Sequence, residues 1–183
     1  MIASRRTAPL VKTLVFTVIV PGTVTVLIPR WLLAAGPEGH RAALGALHYL
    51  GLLPILLGAA GYLRCAWDFA TAGRGTPAPL DPPKALVVRG LYRVVRNPMY
   101  VAVLLVLFGE ALLFGSPRLL GYAVVVLVLF HLFVVAYEEP TLRRAFGPSY
   151  DEYRAAVPRW LPRRGPAARH GGRGASPTHG GSA

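Results

Sequence analysis

Two charged clusters hold the side chains of this chain that are best equipped for chemistry. Arg89, Tyr92, Arg93, Arg96 and Asn97 fall in residues 84–100, KALVVRGLYRVVRNPMY, and Glu138 with Glu139 follows after a long apolar interval. Asn97-Pro98 precedes an apolar run. Asn is a good N-cap and Pro suits the first helical position, so a helix is expected to start there. The open N–H groups of that first turn, flanked by Arg96 and Tyr92, would suit an anionic group. The two glutamates would suit an ammonium or the hydroxyls of a ribose. A basic helix start beside a carboxylate pair therefore fits a zwitterion such as an amino acid moiety. The plainer reading is also open: basic residues flank many membrane spans, and Glu138 and Glu139 could pair with Arg143 and Arg144 one turn on.

The elements that must bring these clusters together are apolar. Runs at about 10–28, 44–67, 99–114 and 119–137 predict four transmembrane helices in an all-α integral membrane protein. The first is read as a retained span, and Pro21-Gly22 is expected to kink it. Residues 30–41 form a short polar connection. Gly51, Gly58 and Gly61 suit close helix contact in the second span, and Arg64 and Asp68 are one turn apart at its end, placed to pair. Residues 71–83, TAGRGTPAPLDPP, cannot continue a helix. The third span is short, roughly 24 Å against a hydrocarbon core of about 30 Å. Gly115-Ser116-Pro117 turns the chain into the fourth. An amphipathic, cytoplasmic-face helical segment follows, with Leu142 and Phe146 on one face and Ser149 with Glu152 as a capping box. The domain is read as 1–162, with cofactor segments at 84–100 and 138–159. The Gly- and Arg-rich tail, 163–183, is read as disordered.

More than half of the 183 residues are hydrophobic and the net charge is +12. In a soluble protein that charge would point to nucleic acid. Here the basic residues cluster between apolar runs, which assigns them to topology and anionic headgroups, with no nucleic-acid partner. With both termini on one side, all but three of the 20 Lys and Arg residues share that side, Arg30, Arg41 and Arg118 being the exceptions. Both termini, residues 84–96 and the glutamate pair are then expected in the cytoplasm, at what reads as a bacterial plasma membrane. Spans three and four form a hairpin, which carries Glu138 back to Asn97. The single cysteine, Cys65, excludes an internal disulfide and a multi-cysteine zinc site. No metal site is expected, and no obligate protein partner.

Gly90–Tyr100 (GLYRVVRNPMY), a membrane hairpin, E-E-x-x-L from Glu138 and F-G-x-x-Y-x-x-Y-x-x-x-V-P-R from Phe146 together resemble the isoprenylcysteine carboxyl methyltransferase and phospholipid N-methyltransferase superfamily. The resemblance covers about 77–162, and the first two spans and the tail carry little of it. It implies S-adenosylmethionine as methyl donor at the cytosolic membrane face. The family's cofactor contacts fall on Lys84, Ala85, Leu86, Val87, Tyr92, Asn97, Pro98, Met99, Tyr100 and Glu138. The phospholipid enzymes also use the second acid, here Glu139. Gly90 and Arg96 complete the candidate set. This chain has Asn97 where the carboxyl methyltransferases have His. Asn can cap and donate a hydrogen bond but is no acid or base near neutral pH. It also has Val134 where the eukaryotic carboxyl methyltransferases place a substrate-binding Arg.

The activity implied is methyl transfer to a lipophilic or membrane-associated amine, thiol or carboxylate. An activated sulfonium methyl needs no metal, and positioning can supply about 7–11 kcal/mol in the best cases. No residue is assigned as catalytic. Glu110, inside span three, lies roughly 17 Å from Met99 along the helix and is read as a buried structural acid. His131 is read as a packed residue. Two other readings are an NADPH-dependent membrane reductase of the sterol reductase type and a non-catalytic membrane interaction protein.

Overall fold

The computed structural model describes residues 19–35, 45–72, 86 and 88–162. Among these, every regular element is helical. Helix α1 is Ile19–Ala34. A 3-10 stretch, Gly45–Gly51, leads into α2, Leu52–Ala72. Helix α3 is Pro98–Leu113 and α4 is Pro117–Phe133. The chain then widens into a π turn, Val134–Glu138, and continues as α5, Glu139–Phe146, and α6, Pro148–Ala156.

Two of the apolar helices, Gly45–Asp68 and Pro117–Phe146, are long and apolar enough to cross a membrane. Ile19–Ala34 and Pro98–Leu113 are shorter. At 16 residues α3 is as short as the sequence implies, roughly 24 Å.

Helix α3 packs against α2 in an antiparallel pair, and glycines set the distance. A Cβ on Gly109 would lie 2.7 Å from the carbonyl oxygen of Gly51, and one on Gly58 would run into that of Ala102. Backbone meets backbone there, as small residues allow. Gly61 makes only ordinary contacts. Around this seam Tyr62, Ala66, Ala102, Val103, Leu104, Leu107, Ala123 and Val126 form the core. Leu53, Leu56, Leu57, Leu63 and Trp67 of α2, and Val125, Val128, Leu129 and Leu132 of α4, are exposed.

Proline accounts for both π turns. Thr23–Leu27 ends two residues before Pro29, and Val134–Glu138 ends two residues before Pro140. A proline inside a helix lacks the N–H and crowds the carbonyl four residues back. Widening by one residue relieves the clash. The carbonyl of Val24, which Pro29 cannot serve, accepts the Tyr122 hydroxyl at 3.0 Å and so ties α1 to α4. The expected kink at Pro21-Gly22 is thus a wide turn just beyond it. Helix α1 continues to Ala34, past the expected end at 28, because residues 28–34 are apolar apart from Arg30. Residues 10–18 of that span, the loop 73–85 and the tail 163–183 lie outside the described residues.

Arg64 and Asp68 pair as expected, at 3.2 Å. The capping box does not form. Helix α6 starts two residues earlier, at Pro148 with Gly147 as its N-cap, and the Ser149 hydroxyl donates to the Phe146 carbonyl at 2.7 Å. Leu142 and Phe146 do share a half-buried face, packing with Leu86 onto Tyr150, Tyr153 and Val157.

Candidate functional site

The hairpin brings the two charged clusters together. The Tyr100 hydroxyl, in the first turn of α3, donates to Oε2 of Glu138 at 2.8 Å. The other Glu138 oxygen, Oε1, takes no hydrogen bond among the described residues.

Glu139 is enclosed. Its Oε1 lies 3.0 Å from the Arg96 guanidinium, and Arg159 grips both oxygens, Nε to Oε1 at 2.6 Å and a terminal nitrogen to Oε2 at 2.9 Å. Arg96 and Glu139 side chains are 10% and 11% exposed. Burial works to raise the Glu139 carboxyl. The Arg159 hydrogen bonds, with the charges of Arg96 and Arg159, outweigh it and hold the group below its ordinary value. Arg143 and Arg144 do not serve Glu138 or Glu139. Arg143 pairs with Asp151 at 3.2 Å, and Arg144 donates to the Pro140 carbonyl.

Asn97 departs from its expected role as a cap. It occupies the N-cap position of α3, but its side chain makes no cap hydrogen bond. Its Nδ2 donates to the Arg159 carbonyl at 3.2 Å, and the Arg96 N–H donates to the Pro158 carbonyl at 2.8 Å. The Pro158–Arg159 backbone thus takes the donors that a loop before a helix would otherwise leave unpaired. The α3 start is left without a side-chain cap. Pro98 has no N–H, and Val101 donates to the Asn97 carbonyl. Met99 and Tyr100 keep the free N–H groups of the first turn.

Tyr92 is buried in a 3-10 turn, Gly90–Arg93, packed on Cys65 and Met99. Its carbonyl accepts the Tyr153 hydroxyl at 2.6 Å. Burial raises both phenols, so both stay protonated near neutral pH. Gly90 opens this turn at φ +50°, and a Cβ there would collide with the Asp68 carboxylate, so the end of α2 fixes the turn from below. Leu86 belongs to the cluster under α6. Lys84, Ala85 and Val87 lie outside the described residues.

The sequence motif from Phe146 ends at Arg159, and neither Arg159 nor Trp160 is among the site residues it predicts. Trp160 stands edge-on to Tyr100, centroids 6.4 Å apart, and its indole N–H reaches Nδ1 of His131 at 3.3 Å. A partner for a buried Glu-Arg pair was the available signal. His131 is exposed and hydrogen-bonded, in place of the packed residue expected. Val134 is fully buried. Among the described residues no group of three or more His, Cys, Asp or Glu could hold a metal.

A family model described as phospholipid methyltransferase matches residues 46–149, more than half of the 183 residues. The chain belongs to the phospholipid methyltransferase family. That places it in the superfamily its motifs resemble. The family's members are methyltransferases, which supports an enzyme of that class. The match includes all of Leu52–Ala72 and so reaches further towards the N-terminus than the motifs indicate. It stops before Tyr150, Tyr153, Arg159 and Trp160. No curated protein and no solved structure matches the chain.

Proposed function

We propose that this phospholipid methyltransferase family member transfers a methyl group from S-adenosylmethionine to a lipophilic acceptor at the cytoplasmic face of a membrane. The observation that carries the reading is the uncapped start of α3 beside the Tyr100–Glu138 pair. Two free N–H groups suit the carboxylate of a methionine moiety. The open oxygen of Glu138 suits a ribose hydroxyl or an ammonium. The donor set therefore fits the cofactor that the family resemblance implies, with Met99, Tyr100 and Glu138 as its nearest holders. When bound there, S-adenosylmethionine supplies an activated sulfonium methyl.

The chain's own residues position and exclude. Tyr100 fixes the Glu138 carboxylate through its hydroxyl, limiting the orientations that must be lost on binding. The Arg96–Glu139–Arg159 group locks the 158–160 segment across the start of α3, where it helps to keep water from the reacting atoms. Arg96 and Glu139 thus act by holding the wall of the site, with both Glu139 oxygens already taken. Asn97 ties the same wall by its amide.

Membrane insertion is supported by the exposed apolar faces of α2 and α4, and the excess of Lys and Arg on one side favours both termini in the cytoplasm. The positions of Trp31 and Tyr49 at one end of the bundle and Trp67 and Tyr137 at the other also support insertion, since all four are exposed. Tyr49 to Trp67 is about 27 Å at helical rise, close to a hydrocarbon thickness with aromatic belts at both interfaces. The apolar run that begins in α4 then ends near Tyr137, in the π turn, with Glu139 beyond it.

Incubation of the purified protein with labelled S-adenosylmethionine and a membrane lipid extract should give a labelled lipophilic product. No transfer to any lipid would count against the reading. A purified protein that binds NADPH and ignores S-adenosylmethionine would sink it.

A further inference from the structure

We propose that Asp68 is a positioning residue for the methyl donor: its carboxylate, set against Gly90, holds the Gly90–Arg93 turn that presents Tyr92 to the start of α3. The inference rests on the proposed methyl transfer and names a residue that precedes every member of the candidate site.

Asp68 ends the apolar part of α2, and its side chain is only 7% exposed. A carboxylate taken out of water needs donors around it. Among the described residues its oxygens accept one hydrogen bond, from Nε of Arg64 to Oδ2 at 3.2 Å, and the Arg64 side chain is 63% exposed. Such a pair, one turn apart, forms equally well on an open helix face. The ion pair therefore does not account for the burial. The turn does. Oδ2 lies so close to Gly90 that a Cβ there would collide with it, and Gly90, at φ +50°, is the residue that permits both the conformation and the approach. The N–H groups that open the turn, on Gly90 and Leu91, have no acceptor among the described residues. A negative charge beside such an open end is favourable, as at a helix start.

The turn carries this placement to the donor site. Tyr92, two residues after Gly90, is buried on Cys65 and Met99. Met99 holds one of the two free N–H groups of α3. Cys65 lies one turn before Asp68 on α2. Helix α2 thus supports the turn twice, by packing under Tyr92 and by charge under Gly90. The Tyr153 hydroxyl holds the Tyr92 carbonyl from α6. Asp68 acts through Tyr92 and needs no contact with the donor.

The test uses the full chain in nanodiscs. Asp68→Asn keeps the size of the side chain and removes its charge. KM for S-adenosylmethionine should rise roughly ten-fold, as for a weakened hold by a charged group, with kcat at saturating donor within about two-fold. A purely structural role would lower the active fraction, which cuts kcat and leaves KM alone. Gly90→Ala should raise the same KM in wild type. In Asp68→Ala the colliding carboxylate is gone, and Gly90→Ala should add only the strain of alanine at positive φ. Cys65, the single cysteine, gives a reading without turnover. It is fully buried with Tyr92 against it, so a small thiol reagent should label it faster in Asp68→Asn than in wild type. If Asp68→Asn is too unstable to purify, Gly90→Ala gives the same two readings. Faster labelling in a protein that binds no S-adenosylmethionine would uphold the grip of Asp68 on the turn and tell against the proposed reaction alone. Unchanged labelling, a fall in kcat with KM for S-adenosylmethionine unchanged, or additive losses in the double variant would overturn the inference.

Discussion

At the scale of single residues, the two adjacent glutamates have different surroundings and should fail differently. Tyr100→Phe removes one hydrogen bond from Glu138 and leaves the packing against Phe130 in place. Hydrogen bonds to charged groups contribute about 1.5–3 kcal/mol, so S-adenosylmethionine binding measured by calorimetry should weaken at least ten-fold, with melting little changed. Glu139→Ala should do the reverse to the fold. It leaves the buried Arg96 guanidinium without its carboxylate, and breaking a buried pair costs about 3–5 kcal/mol. A drop in thermal stability larger than that of Arg159→Ala is expected, because Arg159 is 31% exposed and Arg96 stays behind to serve Glu139. The acid dependence follows from the same group. The Glu139 carboxyl is lowered in the fold relative to the unfolded chain, so its contribution is complete above the ordinary carboxylate value of about 4.3. It is lost as pH falls through the lowered value. Thermal melts of wild type and Glu139→Gln should therefore converge on acidification, and a constant gap down to pH 3 would refute the assignment. The pairing partner was beyond the sequence because Arg159 lies twenty residues on, at no helical spacing from Glu139, and only the fold joins them.

At the scale of elements, the turn before the acidic pair sets the direction in which both carboxylates point. A π turn is one residue wider than regular helix, and one residue is worth about 100° of rotation. In Pro140→Ala the reason for the wide turn is gone. Where the helix takes the regular register, Glu138 swings away from Tyr100, so methyl transfer should fall by ten-fold or more with helix content by circular dichroism unchanged. Deleting Ala136 in the Pro140→Ala background removes the extra residue, restores the face and should recover most of the activity. Failure of that rescue would mean that the turn does not position the pair. The sequence made the helices themselves legible: the start of α3 at Pro98 and the turn at Ser116-Pro117 both follow from proline at the first helical position. It also held the signal for both wide turns, in Pro29 and Pro140. The periodicity of an apolar run does not change over one extra residue, so they were not read. The capping role of Asn97 was misread for another reason. Its amide was claimed by the Arg159 carbonyl from a remote part of the chain, and local propensity has no access to such a partner.

At the scale of the whole molecule, the site is closed by a segment that the family match leaves out. The match ends at Ser149, but Tyr153 holds the Tyr92 carbonyl, Arg159 holds Glu139, and Trp160 stands against Tyr100. Helix α6 and residues 157–160 therefore pack with the start of α3. This separates two truncations that differ by only a few residues. Deleting 163–183 removes none of these contacts and should leave S-adenosylmethionine-dependent transfer within about two-fold of wild type. Ending the chain at Ala156 removes both hydrogen bonds to the Pro158–Arg159 backbone and the Arg159 grip on Glu139. It leaves Arg96 and Glu139 paired but opens the α3 start to water, so activity should be abolished while helix content by circular dichroism is kept. A non-catalytic protein acting through its basic tail would give the opposite order, with the shorter deletion already fatal. Measuring both truncations for labelled methyl transfer and for binding to anionic vesicles decides between an enzyme whose last functional contact is Trp160 and an interaction protein whose function begins after it.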